Sequence, residues 1–410
     1  MGYNTPVVPS PRPSRESTPT EPPFEAAAAR RALSVFFLSG MLMAFPGAIL
    51  PAWGYHLSSN YDRVGHYFLA ICLGILISVK AAPWLLARKN IRFVLILGCA
   101  LASASFVYLA LVLPPASSWW RFGGMILVGL SSGLLTSAAF HIVAPAYHHD
   151  PAATVNLAGA MFGLGCLVMA LLVAGAYYVY TVASILILTA LIPGFLTGIY
   201  ARSRFPAAAP EPEPSWHKLW DDSRSLGAVL LTLLLFFQFG NEWSLAGWLT
   251  LFLIQRIGVS PETSLKLLAF YWLALLVGRF AAQWLLPRVS HGRLLIGSAT
   301  AAMVGCLILI STNNRFGAGA GILFVGWGFS VIYPLVVEKI GHRFPYYRPG
   351  FFNGIFSFGM TAGFLAPWTL GFLADAWGIQ AVMALPMAGT VMVFLLLVLL
   401  WLETRLTSAQ

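Results

Sequence analysis

Ala81-Ala82-Pro83-Trp84-Leu85-Leu86-Ala87-Arg88 returns two hundred positions later as Ala281-Ala282-Gln283-Trp284-Leu285-Leu286-Pro287-Arg288. One phrase of small, aromatic, apolar and basic residues repeated at a fixed offset is the mark of a duplicated unit. The same offset pairs Phe36-Phe37-Leu38-Ser39-Gly40 and Gly47 with Phe236-Phe237-Gln238-Phe239-Gly240 and Gly247. It also pairs the close-packing doublet Gly159/Gly163 with Gly359/Gly363, with Asn156 and Asn353 just upstream of the two doublets. Apolar sequence matches itself by chance at any single place, but three matches in order are better explained by duplication.

What is duplicated follows from composition. Of 410 residues, 59% are apolar and 9% charged, which is not a soluble composition. The apolar residues suffice for about twelve helices of roughly 20 residues, the length that crosses ~30 Å of hydrocarbon. Uninterrupted runs such as Ile91 to Leu113 and Ile379 to Leu402 exclude a barrel of short alternating strands. Spans are expected at 32–54, 66–86, 91–113, 120–143, 154–178, 179–200, 225–254, 263–287, 293–311, 316–340, 350–374 and 379–402. The fold class is therefore an all-α membrane protein of twelve transmembrane helices in two six-helix bundles, 32–201 and 225–403.

A disordered tail is expected over 1–31, because its first 25 residues are rich in Pro, Ser, Thr and Glu and offer almost nothing for a core. The linker 202–224 carries Pro206-Ala-Ala-Ala-Pro210-Glu-Pro-Glu-Pro214 and an interfacial stretch around Trp216 to Trp220; a short tail, 404–410, closes the chain. Arg30-Arg31 precedes an apolar run too long for a cleavable signal. The formal charge of +10 sits in short clusters between spans, so topology explains it and nucleic acid is not an expected partner. With the tails inside, the inner loops hold Arg88, Lys89, Arg92, Arg202, Arg204, Lys218, Arg224, Arg288, Arg293, Lys339, Arg343 and Arg348, against Arg63, Arg121, Arg256, Lys266 and Arg315 outside. That bias puts both termini in the cytoplasm and the chain in a cytoplasmic (inner) membrane. Cys72, Cys99, Cys166 and Cys306 fall in separate apolar runs and read as packing residues rather than disulfides or metal ligands.

Two six-helix units starting on the same side are parallel repeats about an axis along the membrane normal, an arrangement that creates a central cavity and suits alternating access. The residues at the corresponding places are Gly240-Asn-Glu242-Trp-Ser-Leu-Ala-Gly247-Trp248-Leu in span seven, Trp272 with Val277-Gly278-Arg279 in span eight, and Asn156 with Phe162-Gly-Leu-Gly165 in span five. Phe329-Ser-Val-Ile-Tyr333-Pro334 and Gly371-Phe-Leu-Ala-Asp375-Ala-Trp-Gly378 add to them. In these the chain resembles the major facilitator superfamily across residues 32 to 402, leaning toward its fucose:proton symporter-like branch. The resemblance implies a path lined by spans one, four, seven and ten and braced by three, six, nine and twelve. The latter four have no charge in their apolar centres, which agrees. One loop departs from the family's G-x-x-x-D-R-x-G-R-R: here it reads Trp84-Leu-Leu-Ala87-Arg88-Lys89-Asn90-Ile91-Arg92, with Ala87 in place of the acid and Asn90 in place of the glycine. The basic residues remain, but the usual charge relay at the cytoplasmic gate loses its carboxylate.

Charge inside hydrocarbon needs a partner, water or an escape to the interface. Glu242 lies too deep in span seven to reach the interface, and Gln238, Asn241 and Glu242 at i, i+3 and i+4 share one face. A polar stripe facing a cavity is expected, the alternative being a protonated structural glutamate bonded to a neighbouring helix. A desolvated carboxyl favours its neutral form, which suits a group that loads and releases a proton each cycle, so Glu242 is the candidate for proton coupling. Arg279 shares a face of span eight with Trp272 and Gln283, at an axial offset from Glu242 of about 10 Å. It could bind an anionic or hydroxylated substrate, hold backbone carbonyls at the inner gate, or snorkel.

Ser131 and Thr136 in span four, Trp243 in span seven, Trp327 and Tyr333 in span ten and Ser357 in span eleven complete the substrate-binding candidates with Gln238, Asn241, Trp272 and Arg279. Lys80, Arg88, Asn156 and Asn353 are the gate and structural candidates; snorkelling is the favoured role of Lys80. Glu338, Lys339 and Asp375 are expected at interfaces, and His141 as a hydrogen-bonded packing residue. His148-His149-Asp150 is not expected to hold a metal, because adjacent loop residues seldom converge on one ion.

Hydroxyls, amides and flat rings together suit a neutral polar solute, a sugar among the candidates. A secondary transporter is expected, coupled to protons through Glu242, monomeric, embedded in lipid and using no cofactor. Proton-driven efflux of amphipathic molecules is the alternative, and a non-transporting membrane sensor a third. An enzyme is not expected: no HExxH, nucleophile elbow or Walker loop appears, and neither tail nor linker could hold a catalytic domain.

Overall fold

The computed structural model of the protein describes residues 23–58, 60–149, 151–203, 205, 226–343 and 349–407. Among these there are twelve α-helices: α1 Pro23–Ile49, α2 Tyr61–Arg88, α3 Ile91–Leu111, α4 Ser118–His149, α5 Pro151–Ala176, α6 Val182–Ala201, α7 Leu226–Phe252, α8 Pro261–Leu285, α9 His291–Ser311, α10 Arg315–Arg343, α11 Pro349–Trp377 and α12 Ala384–Thr407. Eleven of them have described stretches long and apolar enough to cross a membrane. The expected spans are found, with one correction. The tail was expected to run to residue 31, yet α1 begins at Pro23. Proline is preorganised for a first helical turn, and the run Ala26 to Ala29 that follows has the highest helix propensity.

Helix starts are set by local chemistry. Asn90, the residue that breaks the family's loop pattern, accepts a hydrogen bond from the Phe93 amide at 2.8 Å and caps α3. Thr181 caps α6 through Ser184, and Ser260 caps α8 through Thr263, with Pro261 at the first helical position. At the other end of α7 a π-helical turn, Leu253–Ile257, is stopped by Gly258 at φ 77°, a left-handed conformation that glycine takes without penalty.

The helices pack as two bundles whose neighbours largely match, except that α7 also packs closely on α12 and α1 has no such close packing on α6. In the first, α1 packs on α5 and α4, α2 on α4, and α3 on α4 and α6; in the second, α7 packs on α11 and α10, α8 on α10, and α9 on α10 and α12. The contacts between bundles are themselves paired: α2 against α11 is matched by α8 against α5, and α4 against α11 by α10 against α5, while α1 meets α7 at the centre. The repeated phrase behaves alike in both copies. Arg88 lies over the Trp84 ring at 4.7 Å and Arg288 over Trp284 at 4.1 Å. Burial is greatest in the four helices expected to line a path: 83% of the spanning part of α1 and 72% of α4, α7 and α10 is buried, against 50% of α3, 28% of α6, 39% of α9 and 44% of α12.

The face where α1 starts, near both chain ends, is termed the tail face, and its opposite the far face. On the far face the bundles touch backbone to backbone. A Cβ on Gly47 of α1 would collide with the Ala246 carbonyl of α7, and one on Gly65 of α2 would lie 2.7 Å from the Trp368 carbonyl of α11. Thr250 donates to the Gly47 carbonyl at 2.9 Å, Gln255 to the carbonyls of His56 and Ser58 at 3.2 and 3.3 Å, and the Tyr61 hydroxyl to Gln255 at 2.9 Å. Phe68 of α2 stacks on Trp248 of α7 just beneath. The far side is sealed.

Candidate transport site

Helix α7 is enclosed by α1, α8, α10, α11 and α12, and every residue from Gln238 to Leu253 is buried. Its Gln238–Ser244 turn is the polar centre of the second bundle. Glu242 is 4% exposed and Gln238, one turn earlier, is fully buried. Gln238 donates from Nε2 to the Phe329 carbonyl of α10 at 3.4 Å, and the Tyr271 hydroxyl of α8 approaches the Glu242 carbonyl at 3.5 Å.

Aromatic rings wall this turn. Trp243 stacks on Phe364 of α11 at 5.2 Å between centroids, tilts against Trp272 of α8 at 5.6 Å, and meets the edge of Phe162 from the other bundle at 6.1 Å. Arg279, 6% exposed, sits two turns along α8 from Trp272. Its Nη1 donates to the Gly159 carbonyl of α5, across the boundary between bundles. Glycine leaves room for this approach: a Cβ there would lie 2.9 Å from that nitrogen, and the guanidinium would have to shift. Glu242 and Arg279 form no ion pair, as the axial offset predicts, but each lies in the other's field.

Five side-chain polar atoms here are buried without a partner: Gln238 Oε1, Trp243 Nε1, Ser244 Oγ, Trp272 Nε1 and Arg279 Nε. Buried polar atoms are almost always paired, by protein or by water, and each exception needs a reason. Five on two adjacent helices, beside a deep carboxyl, make this the candidate binding site.

The first bundle offers hydroxyls that already satisfy one another. Ser39 of α1 bonds Ser132 at 3.0 Å and Thr136 at 2.7 Å, both on α4. The remaining candidates divide. Tyr333 packs its ring on Phe239 at 5.1 Å, at the edge of the α7 cluster. Asn241 turns the other way, to Thr390 of α12 at 3.5 Å. Ser131 bonds back to the Val128 carbonyl of its own helix, and its backbone faces Gly98 of α3. Trp327 shares an exposed stripe of α10 with Leu323 and Phe324, away from the buried cluster.

Lys80 and Arg88, the last residue of α2, are exposed, and Asn156 is buried on α5 one turn before Gly159. Glu338 pairs with His291 at 3.4 Å at the tail-face end of α10, Asp375 is exposed, and His141 bonds the Ser137 carbonyl. The side chains of Ser357, Asn353, His148 and His149, together with Asp150, lie outside the described residues. Sequence reasoning did not anticipate Ser39 as partner of Thr136, nor Phe364 and Ser244. It took Gly159 only as a packing residue, although the spacing that marks close helix approach also marks a carbonyl open to a donor.

Comparison with known proteins places this geometry. No protein-family model matches the sequence. The chain is 23% identical to the protein TsgA homolog of Buchnera aphidicola over 363 residues, 84% of this chain and 87% of that one. It is 21% identical to an MFS-type transporter of Yersinia pestis over 361 residues, covering 87% and 92%. Over 160 residues, 38% of each chain, it is 26% identical to the glucose/galactose transporter of Brucella abortus. Among solved structures, a variant of the fucose:proton symporter FucP of E. coli superposes with a TM-score of 0.65 at 18% identity, over 92% of this chain and 99% of that one. FucP in its outward conformation gives 0.63 over the same shares. The chain has the major facilitator fold and is an integral membrane protein, and the resemblance read from its residues stands.

Proposed function

We propose that the chain is a secondary transporter that moves a small polar solute by alternating access, with Glu242 carrying the coupled proton. The observation that carries this is the group of buried, unpartnered polar atoms around Trp243 and Trp272, enclosed with a carboxyl where the two bundles meet. Similarity to transporters named for sugars supports a small-solute carrier and makes a sugar the first substrate class to test. Glu242 suits the proton because it is sealed from water by α7's neighbours, and binding a proton there changes the charge opposite Arg279. Since Arg279 bonds the other bundle, that change reaches the contact that must break when the bundles rock.

The units that rock are 32–201 and 225–403, joined by the linker 202–224. The basic loops assign the tail face, and both termini, to the cytoplasm of an inner membrane, so the sealed far face is the outer one. The path lies within one chain, and a monomer surrounded by lipid suffices for the cycle.

The aromatic wall of Phe162, Trp243, Trp272 and Phe364 also favours a second reading, proton-driven export of amphipathic compounds. Uptake into vesicles of defined orientation under an imposed pH gradient separates them. A symporter accumulates solute with the proton flow, an exporter depletes it, and a membrane sensor does neither.

A further inference from the structure

The unpartnered atoms of the site are not evenly split between donors and acceptors. Trp243 Nε1, Trp272 Nε1 and Arg279 Nε can only donate; Gln238 Oε1 can only accept; the Ser244 hydroxyl can do either. A ligand that satisfies three donors against one acceptor has to be rich in acceptor oxygens. Hydroxyl groups supply acceptors and donors together, whereas a carboxylate supplies acceptors alone.

Charge points the same way. Arg279 is 6% exposed, no carboxylate of the described residues pairs with it, and its bond goes to a neutral carbonyl. The ionisable groups whose fields meet at Glu242 are Arg279 and Tyr271 on α8 and Cys166 on α5. Of these only the guanidinium is a cation. The other helices packed on α7 present neutral groups: Thr390 on α12, the Phe329 carbonyl on α10 and the Phe364 ring on α11, while α1 has no titratable residue from Ala32 to Ile49. When Glu242 is ionised, its charge and that of Arg279 offset each other at a distance. When Glu242 takes up a proton, Arg279 is left buried with nothing opposite it, and an uncompensated buried cation is strongly unfavourable.

We propose that the transported solute is a hydroxylated monocarboxylate, of the sugar-acid type, whose carboxylate takes over from Glu242 as the counter-charge of Arg279. The proposal rests on Glu242 being the proton carrier. The proton enters the Glu242 carboxyl, the carboxylate docks on the guanidinium edge that carries Nε, and the hydroxyls meet Gln238, Trp243 and Trp272. Proton and anion then move together, no net charge crosses, and neither is held well alone. A neutral sugar carried with one proton would instead move one positive charge per cycle.

The full-length protein in proteoliposomes tests this with two solutes of matched hydroxyl pattern, D-gluconate and D-glucose. Gluconate is expected to quench tryptophan fluorescence with an affinity at least about tenfold higher than glucose at acidic pH, as a charge-assisted pair provides. The preference is lost in Arg279→Gln and kept in Arg279→Lys. Uptake of labelled gluconate follows an imposed pH gradient and does not respond to a potassium-diffusion potential set with valinomycin. Equal or better binding of glucose, or gluconate uptake that follows the potential, overturns the monocarboxylate but leaves a proton-coupled carrier in place. Uptake of either solute that ignores the pH gradient removes the proton reading itself. Binding of neither solute, in protein whose folding is verified by its melting transition, also overturns the proposal.

Discussion

The two bundles share a scaffold and differ in chemistry. At the offset of two hundred residues Gln238 faces Leu38, Asn241 faces Met41, Glu242 faces Leu42 and Trp272 faces Cys72. The contacts between bundles are nevertheless symmetric, although α7 also packs closely on α12 where α1 lacks a matching close packing on α6. The polar groups of the candidate site are thus concentrated in the second bundle. The first contributes the closed hydroxyl group Ser39–Ser132–Thr136, the Phe162 edge and the Gly159 carbonyl. Symmetry is needed where the bundles must rock past one another; binding needs only one wall with specific groups and another that completes the enclosure. A duplicated protein can therefore specialise one copy without disturbing the motion.

The comparison can be broken most decisively at Glu242. Glu242→Gln keeps the shape and removes the proton site, so accumulation driven by a pH gradient should vanish while exchange between identical solutes persists; counterflow beside net uptake in proteoliposomes reads both. Full gradient-driven uptake in this variant would assign the coupling elsewhere.

Next in size is the far-face contact. Gly47→Leu places a side chain against the Ala246 backbone, and overpacking costs about 1–3 kcal/mol. That is enough to shift a two-state balance about fivefold to 150-fold toward separation of α1 from α7. Labelling of a cysteine at the buried position Thr250 from the far side should speed up accordingly. Gly297→Ala, whose Cβ meets nothing within 4 Å, is the control and should leave labelling unchanged.

A smaller effect sharpens the contrast between walls. Thr136→Val keeps the volume and removes a hydrogen bond of about 1 kcal/mol, so it should lower thermal stability slightly with substrate affinity changed by less than about threefold. Gln238→Leu in the opposite wall should weaken binding more than it alters melting. The least change is expected from Arg88→Gln and Arg288→Gln, each losing an exposed cation–ring contact of about 0.5–1 kcal/mol. Their near-equal melting shifts would reflect the repeat.

Much of this arrangement was legible in the chain alone. Apolar runs set the spans, and the phrase around Trp84 and Trp284 gave the duplication, because membrane helices announce themselves by length and copies by register. The start of α1 was not legible, since proline both ends ordered segments and begins helices. Within α7 the stripe Gln238, Asn241, Glu242 was found, yet three residues of helix turn a side chain by about 60°, enough for Gln238 to reach α10 while Asn241 reaches α12. Periodicity defines an arc, not the neighbour opposite it. Trp327 and Trp243 illustrate the same gap: identical side chains, one against the outside and one at the centre, distinguished only by which helix stands beside them. Arg279's partner was hidden for another reason. A backbone carbonyl has no letter in the sequence.

The far-face seal is built from touching main chains, neutral hydroxyl and amide bonds and stacked rings. Among the described residues this closure has no ionic latch, so its opening should be indifferent to ionic strength and respond instead to the lateral pressure of the surrounding bilayer. Thickness and headgroup packing of the host membrane would then set how often the outer door stands ajar, independently of the chemistry at the centre.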